Sequence, residues 1–295
     1  MKTLIAILAF SVALSTFVEG NSDKISSVDH SWNKYHSQIS MKTVQLNHIY
    51  LVVDKDTYES INRSDLINSL ACTYEQKNSA DNQIGWEGFY IRGKNTYVEI
   101  FYPQERYPKI GITGIAMGVD TKGALEQISE KLKKDHPNTK KGAFCRNGKP
   151  WFGYVAVNDS YFYERNSFWI MEYASEDFAE NSEDVSRAHY NAKRYDPTKL
   201  LLDIDSVAIA FQPEGRAILS SYLKSLELEM HDHTYLTSEN VEIALTEEDE
   251  RRKGIYQISF SLNQHAQKGS YQIGNSLLVL QGKKAIWTFY TKSGL

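Results

Sequence analysis

The segment LNHIYLVVD at residues 46–54 and the segment NTYVEIFY at residues 95–102 decide the fold class of this chain. Each is a strand-like apolar run with one potential metal ligand, His48 in the first and Glu99 in the second. Side chains of a strand alternate between two faces, so His48 shares a face with Tyr50, and Glu99 lies between two aromatic residues of its own face. An imidazole and a carboxylate that face each other in an aromatic pocket would form half of a metal site.

A repeated order of elements begins at residue 43 and predicts two units of the same kind. The first unit, residues 43–104, contains the opening strand, a helix-like stretch at 56–71 and strands at 85–92 and 96–102. Pro103 ends the last strand because proline donates no backbone hydrogen bond to a neighbouring strand.

The second unit, residues 111–175, opens with the strand GITGIAMGVD at residues 111–120. Its helix is predicted from an apolar stripe at helical spacing, with Thr121 as the capping residue. The stripe consists of Ala124, Leu125, Ile128 and Leu132, and strands at 151–157 and 167–174 complete the unit. The first strand of each unit ends in Val-Asp, and this internal repetition predicts an α+β fold of tandem βαβββ units.

A third, C-terminal α+β unit at residues 200–295 repeats the topology loosely after a polar connector at residues 176–199. Its predicted elements are a strand at 200–211, a helix at 214–226 and strands near 241–245, 254–261, 276–280 and 285–290. The segment Gln281-Gly282-Lys283-Lys284 predicts a hairpin turn between the last two strands. His231-Asp232-His233 would place two imidazoles on one face of a strand, but its polar flanks favour a surface loop.

The N-terminus has the pattern of a secretory signal peptide at residues 1–20. A basic start precedes the apolar residues 4–18, and small and polar residues follow. An uncleaved anchor is the alternative, although the stretch is short for a membrane span. We expect a flexible arm at residues 21–42, a secreted or periplasmic mature protein, and no membrane span after cleavage.

Charge and cysteine content restrict the partners and the chemistry. A net charge of −4 over 295 residues gives no electrostatic reason to expect nucleic-acid binding. In an oxidising compartment Cys72 and Cys145 would form one disulfide, and the equal alternative is two free, buried thiols. Neither cysteine lies beside a histidine or in a CxxC spacing, which disfavours a thiol nucleophile.

The paired units resemble the vicinal oxygen chelate superfamily, which includes glyoxalase I, ring-cleaving dioxygenases and fosfomycin-resistance enzymes. The sequence around His48 and Glu99 is similar to that of the glyoxalase-like DUF5829 family over about residues 43–175. The segments that carry this likeness are LNHIY at 46–50, GWEGFY at 85–90, NTYVEIF at 95–101 and GIAMGV at 114–119. The resemblance implies tandem glyoxalase-like modules that form an open cleft.

The resemblance also implies metal ligands in the first and last strands of each module. The first module offers His48 and Glu99. When the second module is aligned with the first, Gly114 takes the position of His48. Ile170, rather than Glu172, takes the position of Glu99. A shift of two residues would keep Glu172 on the same face. At most three ligands, His48, Glu99 and Glu172, are therefore expected for a divalent Zn, Mn, Fe or Ni ion.

An aromatic wall with one cationic end is predicted beside these residues. Trp86, Tyr90 and Arg92 share a face of their strand, and Tyr50 and Tyr97 would join them. Such a wall suits a flat or anionic small molecule, with Arg92 as the anion anchor. The alternative for the aromatic residues is ordinary strand packing. The alternatives for the charged residues are that His48 is a hydrogen-bonded core histidine and that Glu99 forms an ion pair with a cation such as Arg92.

Two functions fit this pattern. The first is an enzyme with metal-assisted lyase, isomerase or dioxygenase-type chemistry on a small oxygen-rich molecule, with Glu172 as a ligand or general base. The second is a non-catalytic small-molecule-binding protein on the same fold that has lost the metal. Gly114 favours the second, whereas His48 and Glu99 favour the first. A partner-binding role for the C-terminal unit, including homodimer formation, is a third hypothesis.

Overall fold

The computed structural model of the chain describes residues 44–78, 86–146, 149–159, 162, 166–174 and 184–291. The predicted signal peptide, the arm and part of the connector lie outside these residues. No helix in the described parts combines the length and the hydrophobicity that a bilayer crossing requires.

The first unit contains four strands and two short helices. They are β1 (Val44–Val52), α1 (Lys55–Asn62), α2 (Asp65–Leu70), β2 (Cys72–Asn78), β3 (Trp86–Arg92) and β4 (Tyr97–Phe101). The single helix predicted at 56–71 is divided because Ser64 has extended backbone dihedrals and its hydroxyl accepts a hydrogen bond from Ile67 N at 3.3 Å. Ser64 therefore starts a second helix instead of continuing the first.

The second unit repeats this order with one longer helix. Its elements are β5 (Thr113–Val119), α3 (Ala124–Asp135), β6 (Lys140–Arg146), β7 (Lys149–Ala156) and β8 (Asn166–Tyr173). The predicted apolar stripe of α3 is buried. The prediction that Thr121 caps α3 was wrong, because the N-cap residue is Gly123 (φ 82°) and makes no side-chain cap.

The two units join into one eight-stranded sheet with the order β2-β3-β4-β1-β5-β8-β7-β6. Within each unit the first and last strands are parallel neighbours, and β1 pairs with β5 in antiparallel orientation across the junction. The prediction of tandem βαβββ modules in an α+β fold is confirmed. The helix α3 packs on one face of this sheet, and the opposite face forms the cleft.

The C-terminal unit follows the same topology in a second, six-stranded sheet. A short helix of the connector, α4 (Arg187–Ala192), precedes this unit. The elements of the unit are β9 (Leu201–Phe211), α5 (Pro213–Ser225), β10 (Glu229–His231), β11 (Thr234–Leu236), β12 (Glu242–Glu247), β13 (Gly254–Ile273) and β14 (Ser276–Phe289). β9 is parallel to β12 and antiparallel to β13, so β13 occupies the position beside β9 that β5 occupies beside β1. A long β13–β14 hairpin thus replaces a fourth unit.

The turn of this hairpin is not where the sequence predicted it. Gln281–Lys284 lies inside β14, where Gly282 (φ 62°) belongs to a bulge instead of a turn. The chain reverses at Gly274 and Asn275, and this turn contacts the start of α1. Asn275 N donates to Thr57 Oγ1 at 2.7 Å. An alanine at position 274 would meet Thr57 Cα at 2.5 Å, so only glycine fits this contact.

A second contact joins the C-terminal unit to the cleft strands. The carboxylate of Asp203 on β9 accepts hydrogen bonds from Asn95 N at 2.9 Å, Thr96 N at 2.8 Å and Thr96 Oγ1 at 2.7 Å. These atoms belong to the turn between β3 and β4. Asp203 therefore fixes the end of the two strands that carry Arg92 and Tyr97.

The structure also decides two smaller predictions. Cys72 in β2 and Cys145 in β6 lie at opposite edges of the eight-stranded sheet, and both are free thiols, so the disulfide alternative was wrong. The alternative of buried thiols was also wrong, because Cys72 is partly exposed and Cys145 is exposed. His231 ends β10, and Asp232 and His233 form the two-residue turn to β11 with φ angles of 47° and 63°. The preferred interpretation of this motif as a surface loop is confirmed, since all three residues are exposed.

Candidate functional site

The strand register brings the predicted first-module residues onto the cleft face of the sheet. His48 of β1 stands opposite Tyr97 of β4, and Tyr50 stands opposite Glu99. On the other side of β4, Arg92 of β3 pairs with Tyr97, and Tyr90 pairs with Glu99. Trp86 shares the face of Tyr90, because strand side chains repeat their direction every second residue.

One group of aromatic side chains encloses Arg92. This closed cluster consists of Tyr74, Tyr90, Tyr97, Tyr173 and Tyr190. The Arg92 guanidinium carbon lies 3.7 Å from the centroid of the Tyr97 ring, and three further tyrosine rings of the cluster lie within 5.6 Å. Arg92 Nη1 donates to Asn191 Oδ1 at 3.0 Å, and Nη2 donates to Tyr74 OH. The residue is only 2% exposed.

This enclosure corrects the predicted role of Arg92 as an anion anchor. A helix in the connector, α4 (Arg187–Ala192), covers it from outside the sheet. Tyr190 of α4 stacks on Tyr173 at 4.2 Å between ring centroids, and Asn191 binds the guanidinium directly. Sequence reasoning missed this contact because Asn191 lies 99 residues further along the chain and no local pattern links the two.

His48 is held inside the core in its neutral form. Its ring stacks on Tyr97 with centroids 4.4 Å apart and meets the edge of Trp169 at 5.2 Å. Its Nδ1 lies 2.8 Å from Asn47 Oδ1, and because an amide oxygen only accepts, Nδ1 donates and Nε2 keeps its lone pair. Burial, assisted by the charge of Arg92, holds the pKa of His48 well below its ordinary value of 6.5.

A second group of aromatic side chains surrounds Glu99 and remains open to solvent. The floor of this open cluster is formed by Tyr50, Val52 and Phe101, and its partly exposed rim by Trp86, Tyr107, Ile112 and Trp169. Burial raises the pKa of Glu99 to about 7, although Arg92 and Arg106 act in the opposite direction. Within the described parts of the chain, no hydrogen bond or ion pair holds the Glu99 carboxylate. Glu99 is therefore a partly exposed carboxylate among aromatic rings.

The rim contains residues that the sequence did not single out. Tyr107 comes from the segment between β4 and β5, and its ring stacks on Phe101 at 4.3 Å. This segment is held by reciprocal backbone hydrogen bonds of 3.0 Å between Gln104 and Tyr107. The Gln104 side chain also makes two 2.8 Å bonds to the backbone of Glu87. Pro103 indicated only that β4 ends, and nothing local showed that the following turn returns over the cleft.

Glu172 lies on the opposite face of the sheet from His48 and Glu99. It pairs with Gly153 of β7, and its carboxylate accepts hydrogen bonds from Gly123 N at 2.8 Å and Leu125 N at 2.9 Å. The expectation that Glu172 shares the cleft as a ligand or general base is thereby corrected. Its role is to cap α3, which has no capping side chain of its own.

Replacing Glu172 with glutamine should lower the free energy of unfolding by about 1 kcal/mol, since a charged acceptor at a helix N-terminus is lost. Urea denaturation of the variant and of Glu130→Gln measures this effect. Glu130 is exposed on the same helix, and its substitution should change stability by less than about 0.5 kcal/mol. Equal stabilities of the two variants would contradict the capping role.

Comparison with known proteins identifies the family. The model described as "Family of unknown function (DUF5829)" matches residues 46–289. This chain belongs to the DUF5829 family. The match extends beyond the two paired modules and includes the C-terminal unit with the whole β13–β14 hairpin. No curated protein matches the chain.

Solved structures resemble this DUF5829 protein only distantly. A xylose isomerase-like TIM barrel/4-hydroxyphenylpyruvate dioxygenase fusion protein is 12% identical, with a TM-score of 0.46 over 74% of this chain and 36% of that one. A hypothetical protein from Staphylococcus aureus is 12% identical, with a TM-score of 0.47 over 78% and 95% of the two chains. The Mn(II)-bound glyoxalase from Novosphingobium aromaticivorans is 10% identical, with a TM-score of 0.39 over 80% and 77%.

The described residues of the second module of this DUF5829 protein provide no donors to complete a metal site. Gly114 occupies the position that corresponds to His48. The prediction that Ile170 corresponds to Glu99 was wrong by one residue, because Trp169 pairs with Ala116 as Glu99 pairs with Tyr50. A Cβ at residue 114 would lie 2.0 Å from Tyr50 Cε1, so the Tyr50 ring occupies the space that a ligand side chain would need. In the described ranges, no three His, Cys, Asp or Glu side chains converge. The residues present do not fit a resident divalent metal.

Proposed function

We propose that this protein binds a small, flat organic molecule on the open cluster and does so without a resident metal. The observation that carries the proposal is the Glu99 carboxylate, which lies among partly exposed aromatic rings and pairs with no residue that the structure describes. The positions that would complete a metal site on the same face hold Gly114 and Trp169. Of the two sequence-based hypotheses, this arrangement favours the non-catalytic binding protein.

The rim supplies the surface that such a ligand needs. Trp86 and Trp169 are partly exposed and pack against both aromatic clusters, so they connect the closed cluster to the open one. Aromatic side chains bury large areas against planar molecules, while a few polar groups set orientation. Glu99 provides the polar group here, and the hydroxyl of Tyr50 donates to Ser167 Oγ at 3.0 Å, so this phenol is already engaged.

The N-terminal sequence adds a proposal on location. The apolar residues 4–18 behind a basic start support export, so the ligand would be encountered outside the cytoplasm.

Binding is tested with a matched probe series: naphthylmethylammonium, naphthylmethanol and naphthoate, followed by tryptophan fluorescence and thermal shift. At least one probe should bind saturably, and Trp86→Leu and Trp169→Leu should each weaken it by about tenfold, because each ring contributes roughly 1 kcal/mol or more of contact. Tyr271→Leu is the control, since Tyr271 is an exposed aromatic on the distant hairpin.

Two results would overturn this function. If no probe binds, or if binding is the same in both tryptophan variants, the open cluster is not a binding surface. The second result that would overturn it comes from elemental analysis of the untagged protein. Stoichiometric metal that is lost in both His48→Ala and Glu99→Ala would contradict the metal-free proposal and support metal-assisted chemistry at the free His48 Nε2 and Glu99.

A further inference from the structure

The charges that reach the open cluster determine which ligands it accepts. Glu99 provides a negative charge that no described residue neutralises through an ion pair. Arg92 of the neighbouring strand β3 is 2% exposed and enclosed by tyrosine rings, so a ligand on the rim does not contact it. An anionic ligand would therefore meet the carboxylate without meeting the guanidinium of Arg92.

The aromatic rings around Glu99 favour positive charge as well. The face of an aromatic ring attracts cations through its quadrupole, most strongly for tryptophan. Tyr107 lies 5.3 Å from Tyr50 between ring centroids, and Trp169 lies 6.1 Å from Tyr50, so three rings stand close together beside the carboxylate. Rings of this kind around a carboxylate provide both contacts that an organic cation requires.

The chain already places one cation next to this position. The Arg106 guanidinium lies 5.7 Å from the centroid of the Tyr107 ring, and its charge lowers the pKa of Glu99. Arg106 is exposed on the loop between β4 and β5, and its guanidinium also hydrogen-bonds the Tyr107 side chain at the edge of the open cluster. An incoming cation would compete with Arg106 for the same carboxylate.

We infer that the ligand of the open cluster is a flat organic cation, such as an aromatic amine or amidine, which stacks on Trp169 and Tyr107 and pairs with Glu99. This inference rests on the proposed function and adds the class of ligand. Arg106 then acts as an internal competitor that weakens binding instead of an anchor that supports it.

The test compares the three naphthyl probes on four proteins: the wild type, Glu99→Gln, Arg106→Gln and Glu105→Gln. The cation should bind the wild type about tenfold more tightly than the neutral alcohol, and Glu99→Gln should remove this preference. Arg106→Gln should strengthen cation binding about two- to fivefold, because a competing surface charge is removed. Glu105→Gln, an exposed neighbour on the same loop, should bind like the wild type.

The outcomes separate the two proposals. If the neutral alcohol binds as tightly as the cation and both depend on Trp169, the binding surface stands and the cation assignment is wrong. If naphthoate binds best and Arg106→Gln weakens it, Arg106 is an anchor and the ligand is an anion. If no probe binds any variant, the proposed function itself fails.

Discussion

Glu99→Gln is expected to stabilise the folded protein by about 2 to 3 kcal/mol at about pH 8 and by little at about pH 4. Burial raises the pKa of Glu99 to about 7 from its ordinary value of 4.5. Between these values the folded protein retains a proton that the unfolded chain releases. The free energy of unfolding of the wild type therefore falls as the pH rises through this range and stays lower above it. Glutamine resembles the protonated side chain and avoids this loss.

The groups that face Glu99 explain why the effect is not larger. Arg92 and Arg106 both favour the charged form, but neither forms an ion pair with it. Tyr50 and Tyr90, its register neighbours, have phenol pKa values raised above 10, so they stay neutral and cannot compensate the carboxylate. The charge is retained at a cost in stability, which is typical of groups that serve binding.

Urea denaturation at several pH values measures this effect for wild type, Glu99→Gln and the control Glu105→Gln. The curves of the first two proteins should converge at acidic pH and separate above neutrality, while the control follows the wild type throughout. If Glu99→Gln were less stable than the wild type at about pH 8, the carboxylate would be structurally paired and the binding role proposed for it would lose its basis.

Arg187→Met is expected to lower the free energy of unfolding by about 3 kcal/mol. Arg187 is 1% exposed and starts α4. Its Nη2 bonds Asp120 Oδ2 and Glu239 Oε1, each at 2.8 Å, and its Nη1 bonds the backbone oxygen of Leu46. Methionine fills similar volume but leaves two carboxylates and a buried carbonyl without their common donor. Both carboxylates are partly exposed, which limits the loss.

This substitution should also affect the closed cluster. Arg187 holds the start of the helix that places Tyr190 and Asn191 over Arg92, so hydrogen exchange in α4 should accelerate more than exchange in α3. Arg63→Met is the control, because Arg63 forms a surface pair with Glu59 at 3.1 Å and its side chain is 79% exposed. That pair should contribute less than about 1 kcal/mol. Equal losses in the two variants would show that the buried arginine has no special structural role.

Much of the fold could be predicted from local patterns. Alternation in residues 46–54 and 95–102 predicted β1 and β4, and the shared Val-Asp ending predicted the repeat that builds the eight-stranded sheet. Period-two alternation also predicted that His48 shares a face with Tyr50, and Glu99 with Tyr97 and Phe101. That the two strands lie side by side was implied by the resemblance, and the structure shows their parallel pairing.

Other features depended on contacts between distant residues. Glu172 was expected to face the cleft, yet its face depends on the register between β5 and β8, which puts Trp169 there instead. Its carboxylate caps α3, whose N-cap residue Gly123 has no side chain to do so. The turn-like residues 281–284 became part of a strand because the hairpin continues until its end meets Thr57. Local turn propensity is weak compared with such packing.

What the sequence alone determined is therefore the type of module, its repetition and which side chains share a face within each strand, since these depend on periodicity along the chain. Which charge reaches a ligand was decided only by the tertiary structure. Asn191 and Tyr190 enclose Arg92, whereas Arg106 and Tyr107 return over Glu99, and these contacts join segments that no local pattern connects. The physical reason is that burial and pairing of a charge depend on everything packed around it, and most of that packing comes from elsewhere in the chain.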